Sequence, residues 1–534
     1  MRILTINCSL NLEFSKVGEV FSVNLPGGII DLAKYPGALE FKPELIFHQE
    51  NLGPRTLLIG LDKFHCPKVF WSIDTHLNFF WHKYYGKNYD IVFSAQPHWV
   101  DKFQEHNIHA EFLPWYVEKN KWISWSLRKH QLCFVGRISQ YRPIRKRLIN
   151  FLKQNFSDFI FKQDIGRDEM FCLYQQSKIV VNECIAGDLN FRFFEAMGNG
   201  ALLVTPNLPC IDLLFEPEKE FVSYTHGLEL RDKLKFYIKN DLKALSIARN
   251  GYEKSLKCHL AEHRVRKILS CVQDIESKKL DELEVYNNTI LSLYFLSLNG
   301  INENCENKID KFISTLPRDN FYWSLLLEVF IDKQQKLKEL LDFLLLNKIG
   351  ERDLELNAIG SEAALRLDNL RLAKLFLLRY VKGKNIVVEK LNSIDIHLFW
   401  AKEFLKEKRI LRQGFLFDSK KHFPRAALEF IYLALEENQN NEQVLHLARV
   451  LAKKIAGQEN FLLKVESWLS LLEPNNWRLN LDLVLTNLKN FRLKEAEEEL
   501  YLAYENAKKQ GEESLFWLRK KAILGEFEKA FFLS

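Results

Sequence analysis

No run in this 534-residue sequence is apolar enough over a sufficient length to cross a bilayer as a helix. The opening M-R-I-L-T-I-N-C reads as the start of a strand, without the apolar core of a leader peptide. No Cys-x-x-Cys pair occurs among the nine cysteines, which stand at Cys8, Cys66, Cys133, Cys172, Cys184, Cys210, Cys258, Cys271 and Cys305. An odd, scattered set with several members in apolar stretches excludes a disulfide framework and a zinc site, and points to reduced thiols. A large charge excess is missing too. Lys and Arg number 75 against 69 Asp and Glu, a net +6, too small for a chain built to bind nucleic acid. The balance is compatible with an anionic substrate or with loose contact with an anionic membrane surface. Together these absences predict a soluble, cytoplasmic protein. What is present is bulk: 47% hydrophobic and 13% aromatic residues, with 41 Phe, exclude disorder. The length predicts two to three domains.

The first third alternates apolar strand candidates with helical stretches. Strands are predicted at 3–7, 44–48, 69–73 and 91–94, with weaker ones at 20–24 and 110–113. Turn signals P-G-G at 26–28, Y-P-G at 35–37 and C-P at 66–67 separate them. After an aromatic-rich linker at 113–125, a second set follows at 132–135, 159–162, 179–182, 202–205 and 221–224. Such alternation implies parallel sheets covered by helices on both faces. Beyond about Leu280 strand signals fade and helical periodicity runs to the end. Residues 364–380 and 485–504 each read as a helix, a short Asn-centred turn and a second helix with Ala at its packing face. The pattern is like degenerate tetratricopeptide repeats, which predicts an α-solenoid; a compact helical bundle is the alternative. The predicted division is 1–120, 121–278 and 279–534.

The chemistry concentrates in the second set of strands. Residues 190–206 read N-F-R-F-F-E-A-M-G-N-G-A-L-L-V-T-P: a short helix carrying Glu195, a stop at Gly198 and Gly200, and a strand. A carboxylate at the start of such a helix can accept two hydrogen bonds from a vicinal diol, and the amides at the same helix N-terminus favour a phosphate. The segment therefore offers parts for holding a ribose and a diphosphate; otherwise it is an ordinary αβ unit with a surface glutamate. Upstream, residues 177–183 form the apolar run S-K-I-V-V-N-E. Residues 132–147 read L-C-F-V-G-R-I-S-Q-Y-R-P-I-R-K-R, a strand and a glycine followed by five basic residues without an acid. Ligands bind past the carboxyl ends of the strands in open parallel sheets, which is where Arg137, Glu183 and the 187–195 loop fall.

In this order the pieces resemble the C-terminal half of GT-B glycosyltransferases, most closely the bacterial group related to the spore maturation protein CgeB. The resemblance rests on the V-G-R-I-S strand end, the S-K-I-V-V-N strand, N-x-R-x-F-E-A-M-x-x-G, and H-x-x-x-H-R-V at 259–265, and covers roughly residues 40 to 270. It implies an α/β fold of GT-B type, two doubly wound Rossmann-like units facing a cleft, here followed by an all-α helical-repeat domain. It also implies transfer of a sugar from a nucleotide-diphosphate sugar to a polysaccharide, lipid-linked or protein acceptor, with neither a metal ion nor another cofactor. In metal-free members cationic side chains and helix dipoles stabilise the leaving diphosphate.

Under that resemblance Arg137, following Gly136, is the leading phosphate ligand, its planar fork suited to two oxygens. Arg142 or Lys146 supplies a second cation, while the rest of the basic run lies on a helix begun by Pro143. Glu195 holds the ribose. Asn190 and Arg192 match the N-x-R, with Arg192 either on the diphosphate or paired with Glu195 at i,i+3. The second glutamate of many retaining members falls here at Gly187. Asp188 substitutes for it, or the 187–190 loop offers only backbone amides. In the N-terminal half Asp74 and His76, within F-W-S-I-D-T-H-L-N, orient or deprotonate the acceptor hydroxyl, unless Asp74 serves only to cap the next helix. Glu50, in H-Q-E-N-L-G-P-R, is the second candidate base. The first strand is followed by N-C-S-L-N, where GT-B proteins usually carry a glycine-rich loop. His259 and His263, four apart on one helix face, are expected to be structural rather than a metal pair. Two further readings remain open: an epimerase on the same fold, and a catalytically silent scaffold whose repeats bind protein.

Overall fold

The computed structural model describes residues 1–140, 142–209, 211–302, 306–382 and 388–525. Tyr141, Cys210 and Cys305 lie outside them. The chain divides into two compact units. The first joins Met1–Leu113 to Ser270–Leu447, and the second joins Pro114–Leu269 to the segment from Ala448 onward.

The first unit is built on β1 (Arg2–Ile6), β2 (Glu19–Val23), β3 (Gly28–Asp31), β4 (Leu45–Gln49), β5 (Thr56–Ile59), β6 (Lys68–Ser72), β7 (Ile91–Ser94) and β8 (Ala110–Phe112). Six of them form one parallel sheet in the order β2-β1-β4-β6-β7-β8, while β3 and β5 pair separately. Continuous apolar runs such as L-I-F-H-Q and K-V-F-W-S are buried at every position, as expected when helices cover both faces. The β3–β5 pair has no counterpart among the strands expected from sequence, where P-G-G at 26–28 signals only a turn; Gly28 opens β3 with a φ of +111°.

The boundary expected at residue 278 does not separate this sheet from helices. Ser277 and Lys278 are strapped to it: the buried Lys68 ammonium donates to Ser277 Oγ at 3.1 Å, and Lys278 Nζ donates to the Tyr89 carbonyl at 2.7 Å. The helix Glu282–Leu298 then buries Val285, Ile290, Leu293, Tyr294, Phe295 and Leu296 in the same core as Leu58, Trp81, Tyr85 and Val92. A helix buried nearly all round is apolar nearly all round, which explains why this one shows so little amphipathic pattern. The helices that follow, to Leu447, belong to the same unit. They are joined by a buried ionic cluster in which Arg425 reaches Glu328 at 2.9 Å and also pairs with Glu355.

The second unit is built on β9 (His130–Val135), β10 (Phe159–Lys162), β11 (Ser177–Val181), β12 (Leu202–Pro206) and β13 (Val222–Tyr224), parallel in the order β10-β9-β11-β12-β13. Its core extends into the last helices: Phe491 and Leu493 pack on the sheet core, and Leu228 joins Trp477, Leu481, Val484 and Leu488. The helical segment is thus shared between the two units rather than set apart from both. No helix among the described residues is long and apolar enough to cross a membrane.

Candidate active site

Strand order in the second sheet reverses at β9 and β11, since β10 continues to one side of β9 and β12 to the other side of β11. The crevice past the carboxyl ends of two such strands is where open α/β sheets bind ligands. Glu183, Asn190 and Arg192 meet there, together with Arg145 of the basic run. Arg192, on the helix Phe191–Gly198, is buried. It donates from Nε and Nη2 to the Val135 carbonyl at 3.0 and 2.6 Å, and from Nη1 to Asn182 Oδ1 at 2.7 Å. Its guanidinium lies 4.2 Å over the Phe134 ring. Arg192 does not make the expected hydrogen-bonded pair with Glu195; in this structure it ties the helix to the end of β9.

Arg145 is the member of the basic run that turns inward. It places Nε and Nη2 on Glu183 Oε2 at 2.7 and 2.5 Å, and Nη1 on the Arg137 carbonyl at 3.2 Å. On the helix Pro143–Asn155, Arg145 shares one face with Leu148, Ile149 and Leu152, all buried. That i, i+3, i+4, i+7 spacing was the available signal that this cation, and not Arg142 or Lys146, faces the core. Gly136 makes room for both guanidiniums: a Cβ there would come within 2.6 Å of Arg192 Nη2 and 3.4 Å of Arg145 Nη1.

The remaining cations are outward. Arg137 is 76% exposed at its side chain and pairs with Asp164 at 2.9 Å. Arg142 is half-buried at the start of the helix Pro143–Asn155, and Lys146 is exposed. Arg147 is turned away, toward Asn460 at 2.9 Å and Asn490 at 2.5 Å. Asn190 is a positioning residue. Its Oδ1 caps the Phe193 amide, and its Nδ2 donates to the Glu183 carbonyl at 3.0 Å. Asp188 is buried and closes its own turn by accepting from the Ile185 amide at 2.5 Å. Gly187, with φ +74°, continues that turn.

Glu195 differs from all of these. It is half-buried, and its carboxylate accepts no hydrogen bond from a described residue. Burial pushes its carboxyl up to about 7, against the opposing pull of Arg192 and Arg167. A half-buried carboxylate without donors among the described residues is chemically available to a ligand.

In the first unit Asp74 occupies the N-cap position of the helix Thr75–Tyr85, with no side-chain bond to its first turn, and His76 is buried in that turn. Glu50 is buried and fully engaged. Oε2 accepts from the Ile73 and Asp74 amides at 2.8 and 3.0 Å, and Oε1 accepts from Asn78 at 2.8 Å. Burial alone would raise its pKa, but His82, Arg55 and the Asp74 amide outweigh that and hold it at about 2. A carboxylate so placed organises the loop after β6 and is a poor proton acceptor. Its stabilising effect is present above pH 4.5 and is lost as the pH falls toward 2. Glu50→Gln should cost about 3–5 kcal/mol at pH 7, the range for breaking a buried charged network. Thermal melts should show that gap narrowing on acidification; a gap independent of pH would contradict the assigned ionisation.

His259 and His263 do not share a helix face. His259 follows the helix Asp241–Cys258 and contacts Arg264 at 3.1 Å, and burial with that cation holds its pKa near 3. His263 accepts from the Leu260 amide at 3.1 Å at the start of the next helix. Arg264 in turn donates to the carbonyls of Pro114 and Trp115, fastening the linker.

An open parallel sheet with cations gathered at its reversal point defines a Rossmann-like, doubly wound unit. Residues 134–270 match the family described as "Glycosyl transferase-like". This segment of the chain is therefore similar to glycosyl transferases. No curated protein matches over this sequence. Similar solved structures include sucrose-phosphate synthase from Thermosynechococcus elongatus, at 11% identity over 51% of this chain and 98% of that one, with a TM-score of 0.38. A glycosyltransferase from Rickettsia africae follows at 9% identity over 51% and 98%, TM-score 0.37. Anabaena HepE, solved in complex with UDP and glucose, matches at 13% over 51% and 100%, TM-score 0.35.

Proposed function

We propose that this chain transfers a glycosyl group from a nucleoside-diphosphate sugar, without a metal ion, to a polysaccharide, lipid-linked or protein acceptor. The observation that carries the reading is Glu195: a carboxylate without donors among the described residues, within the field of Arg192 and Arg167, in a segment matched to glycosyl transferases. Its two oxygens suit the 2′- and 3′-hydroxyls of a ribose. The diphosphate then lies toward the N-terminus of the helix Phe191–Gly198, whose partial positive charge favours it. Arg137, released from Asp164, with Arg142 or Lys146, takes up the charge that grows on the departing diphosphate. Arg145 and Arg192 do not bind the donor. They hold Glu183, Asn182 and the end of β9 in place, and so set the position of the groups that do. Asp74 and His76 are the groups proposed to orient or deprotonate the acceptor hydroxyl.

The test is thermal shift and titration calorimetry with UDP, GDP, ADP and dTDP. Glu195→Ala should weaken the nucleotide that binds by roughly 1.5–3 kcal/mol, the range for hydrogen bonds to a charged group. Unaltered affinity would remove Glu195 from the site. Stability provides an independent arm. Between pH 4.5 and 7 the folded state keeps a proton on Glu195 that the unfolded state releases, so this group's contribution falls as pH rises through that window. Glu195→Gln, which cannot ionise, should therefore melt above wild type at pH 8 and converge with it at pH 5. A carboxylate kept under strain for binding predicts this combination of higher stability and weaker affinity.

A further inference from the structure

Past the carboxyl ends of β11, β12 and β13 lies a cavity of about 310 Å³, lined entirely by residues of the second unit. One wall is the loop after β11 with Glu183 and Gly187. The other comes from the C-terminal helices: Ala456 and Gly457, and the turn bearing Lys489 and Phe491. The walls are fitted closely. Gly457 has a φ of +86°, and a Cβ on it would come 2.9 Å from Ala186 Cα, so the approach of the two loops depends on glycine.

The polar groups facing this space are not those of a phosphate site. Glu183 is 6% exposed, and Arg145 occupies only its Oε2. Oε1 accepts from no described residue. Glu459 adds a second carboxylate, and Lys489 and Asn207 bring donors whose side chains make no hydrogen bond with a described residue. Arg145 neutralises Glu183, and Lys489 balances Glu459, so the lining is near neutral overall. Tyr224 and Phe491 supply flat apolar surface. A fixed carboxylate oxygen, exposed donors and aromatic faces in a volume at the lower end of small-molecule sites, roughly 300–1,000 Å³, match one ligand class: a neutral, hydroxyl-rich ring of one residue.

We propose that this cavity is a saccharide subsite that takes a single neutral pyranose, with Glu183 accepting from its hydroxyls, Lys489 and Asn207 donating to its oxygens, and Phe491 with Tyr224 covering its apolar face. The proposal rests on the glycosyl-transfer reading above. The cavity shares the 183–190 loop with the diphosphate position, because Asn190 both caps the helix Phe191–Gly198 and donates to the Glu183 carbonyl. The ring has two possible sources, the sugar of the donor or the terminal sugar of the acceptor. In either case the C-terminal helices complete the site.

The experiment uses the full chain and two variants outside the proposed nucleotide grip: Ala456→Trp, which fills the cavity from its rim, and the surface substitution Lys489→Ala, which leaves packing alone. Calorimetry compares UDP, GDP, ADP and dTDP with their glucose, galactose and N-acetylglucosamine esters, and then methyl glycosides of the same sugars with and without nucleotide. If the ring belongs to the donor, one sugar ester should bind wild type at least tenfold tighter than its parent nucleotide. Ala456→Trp should erase that advantage and Lys489→Ala reduce it severalfold, with parent-nucleotide affinity unchanged. If it belongs to the acceptor, a methyl glycoside should bind wild type and fail to bind Ala456→Trp. The inference is overturned if wild type shows neither a sugar-dependent gain nor glycoside binding, or if both variants keep whichever is seen. Failure of every nucleotide to bind would refute the transferase reading instead, and the glycoside arm would still decide the cavity.

Discussion

A chain cut after Lys278 is expected to yield no cooperatively folding protein, although every motif of the donor-binding half would be retained. The cut removes the helix Glu282–Leu298, and with it Val285, Ile290, Leu291, Leu293, Tyr294, Phe295 and Leu296 from the core of the first sheet. Full burial of side chains of this size stabilises by about 1.5–3 kcal/mol each. Seven of them therefore account for roughly 10–20 kcal/mol, as much as the whole stability of a typical domain, about 5–15 kcal/mol. Two polar links go as well: Thr289 Oγ1 donates to the Leu58 carbonyl at 3.1 Å, and Asn88 Nδ2 donates to Thr289 at 3.1 Å. The second unit would lose Phe491 and Leu493 from its sheet core and the partners of Leu228. Gel filtration and circular dichroism melts of the 1–278 fragment should show aggregate or a non-cooperative transition. A monomer that melts cooperatively and binds nucleotide would mean that the sheets are stable without their helices.

Arg137→Ala is expected to lower turnover by about two to three orders of magnitude, the usual effect of removing one preorganised donor from a developing anion. Arg137 is mostly exposed and, among the described residues, its side chain is held by Asp164, so the substitution should leave the stability within about 0.5 kcal/mol of wild type, as for other surface changes. Arg145→Ala should do the reverse. It would leave Glu183 buried and unpaired at a cost of about 3–5 kcal/mol, with any loss of activity following loss of fold. The same assays with EDTA test the charge argument directly. Activity should persist in chelator if arginine side chains and the helix N-terminus stabilise the leaving group. Activity abolished by EDTA and restored by magnesium or manganese would show that a cation performs that task.

Much of the second sheet could be read directly from the chain. β10 runs over Phe159–Lys162 as expected, and β9, β11, β12 and β13 differ from expectation by one or two residues at their ends. Their apolar runs are short, continuous and bounded by polar turns, so local pattern suffices. The weaker β3–β5 pair could not be seen in this way. β3 is only half-buried throughout, and its pairing with β5 links residues far apart in sequence. Among the side chains, the exposure of Arg137 just past β9 agrees with its place in a short motif, and Glu195 stands on the expected short helix. The roles of Arg145 and Arg192 were not legible in this way, because a guanidinium reads the same in sequence whether it faces water or a buried carbonyl.

The linear sequence determined most strands of the two large sheets, the short helix that carries Glu195, and that the chain has a glycosyl transferase-like segment, since periodicity and short motifs are local properties. Tertiary structure alone decided which charges are engaged and which remain available. It also decided that the helices after Lys278 are divided between two cores, and that the turns near Gly457 and Lys489 wall a cavity beside Glu183. Those outcomes depend on contacts between residues as much as 343 positions apart, such as Arg147 with Asn490. Burial and pairing at that range are set by how whole elements pack, and no window of sequence contains both partners.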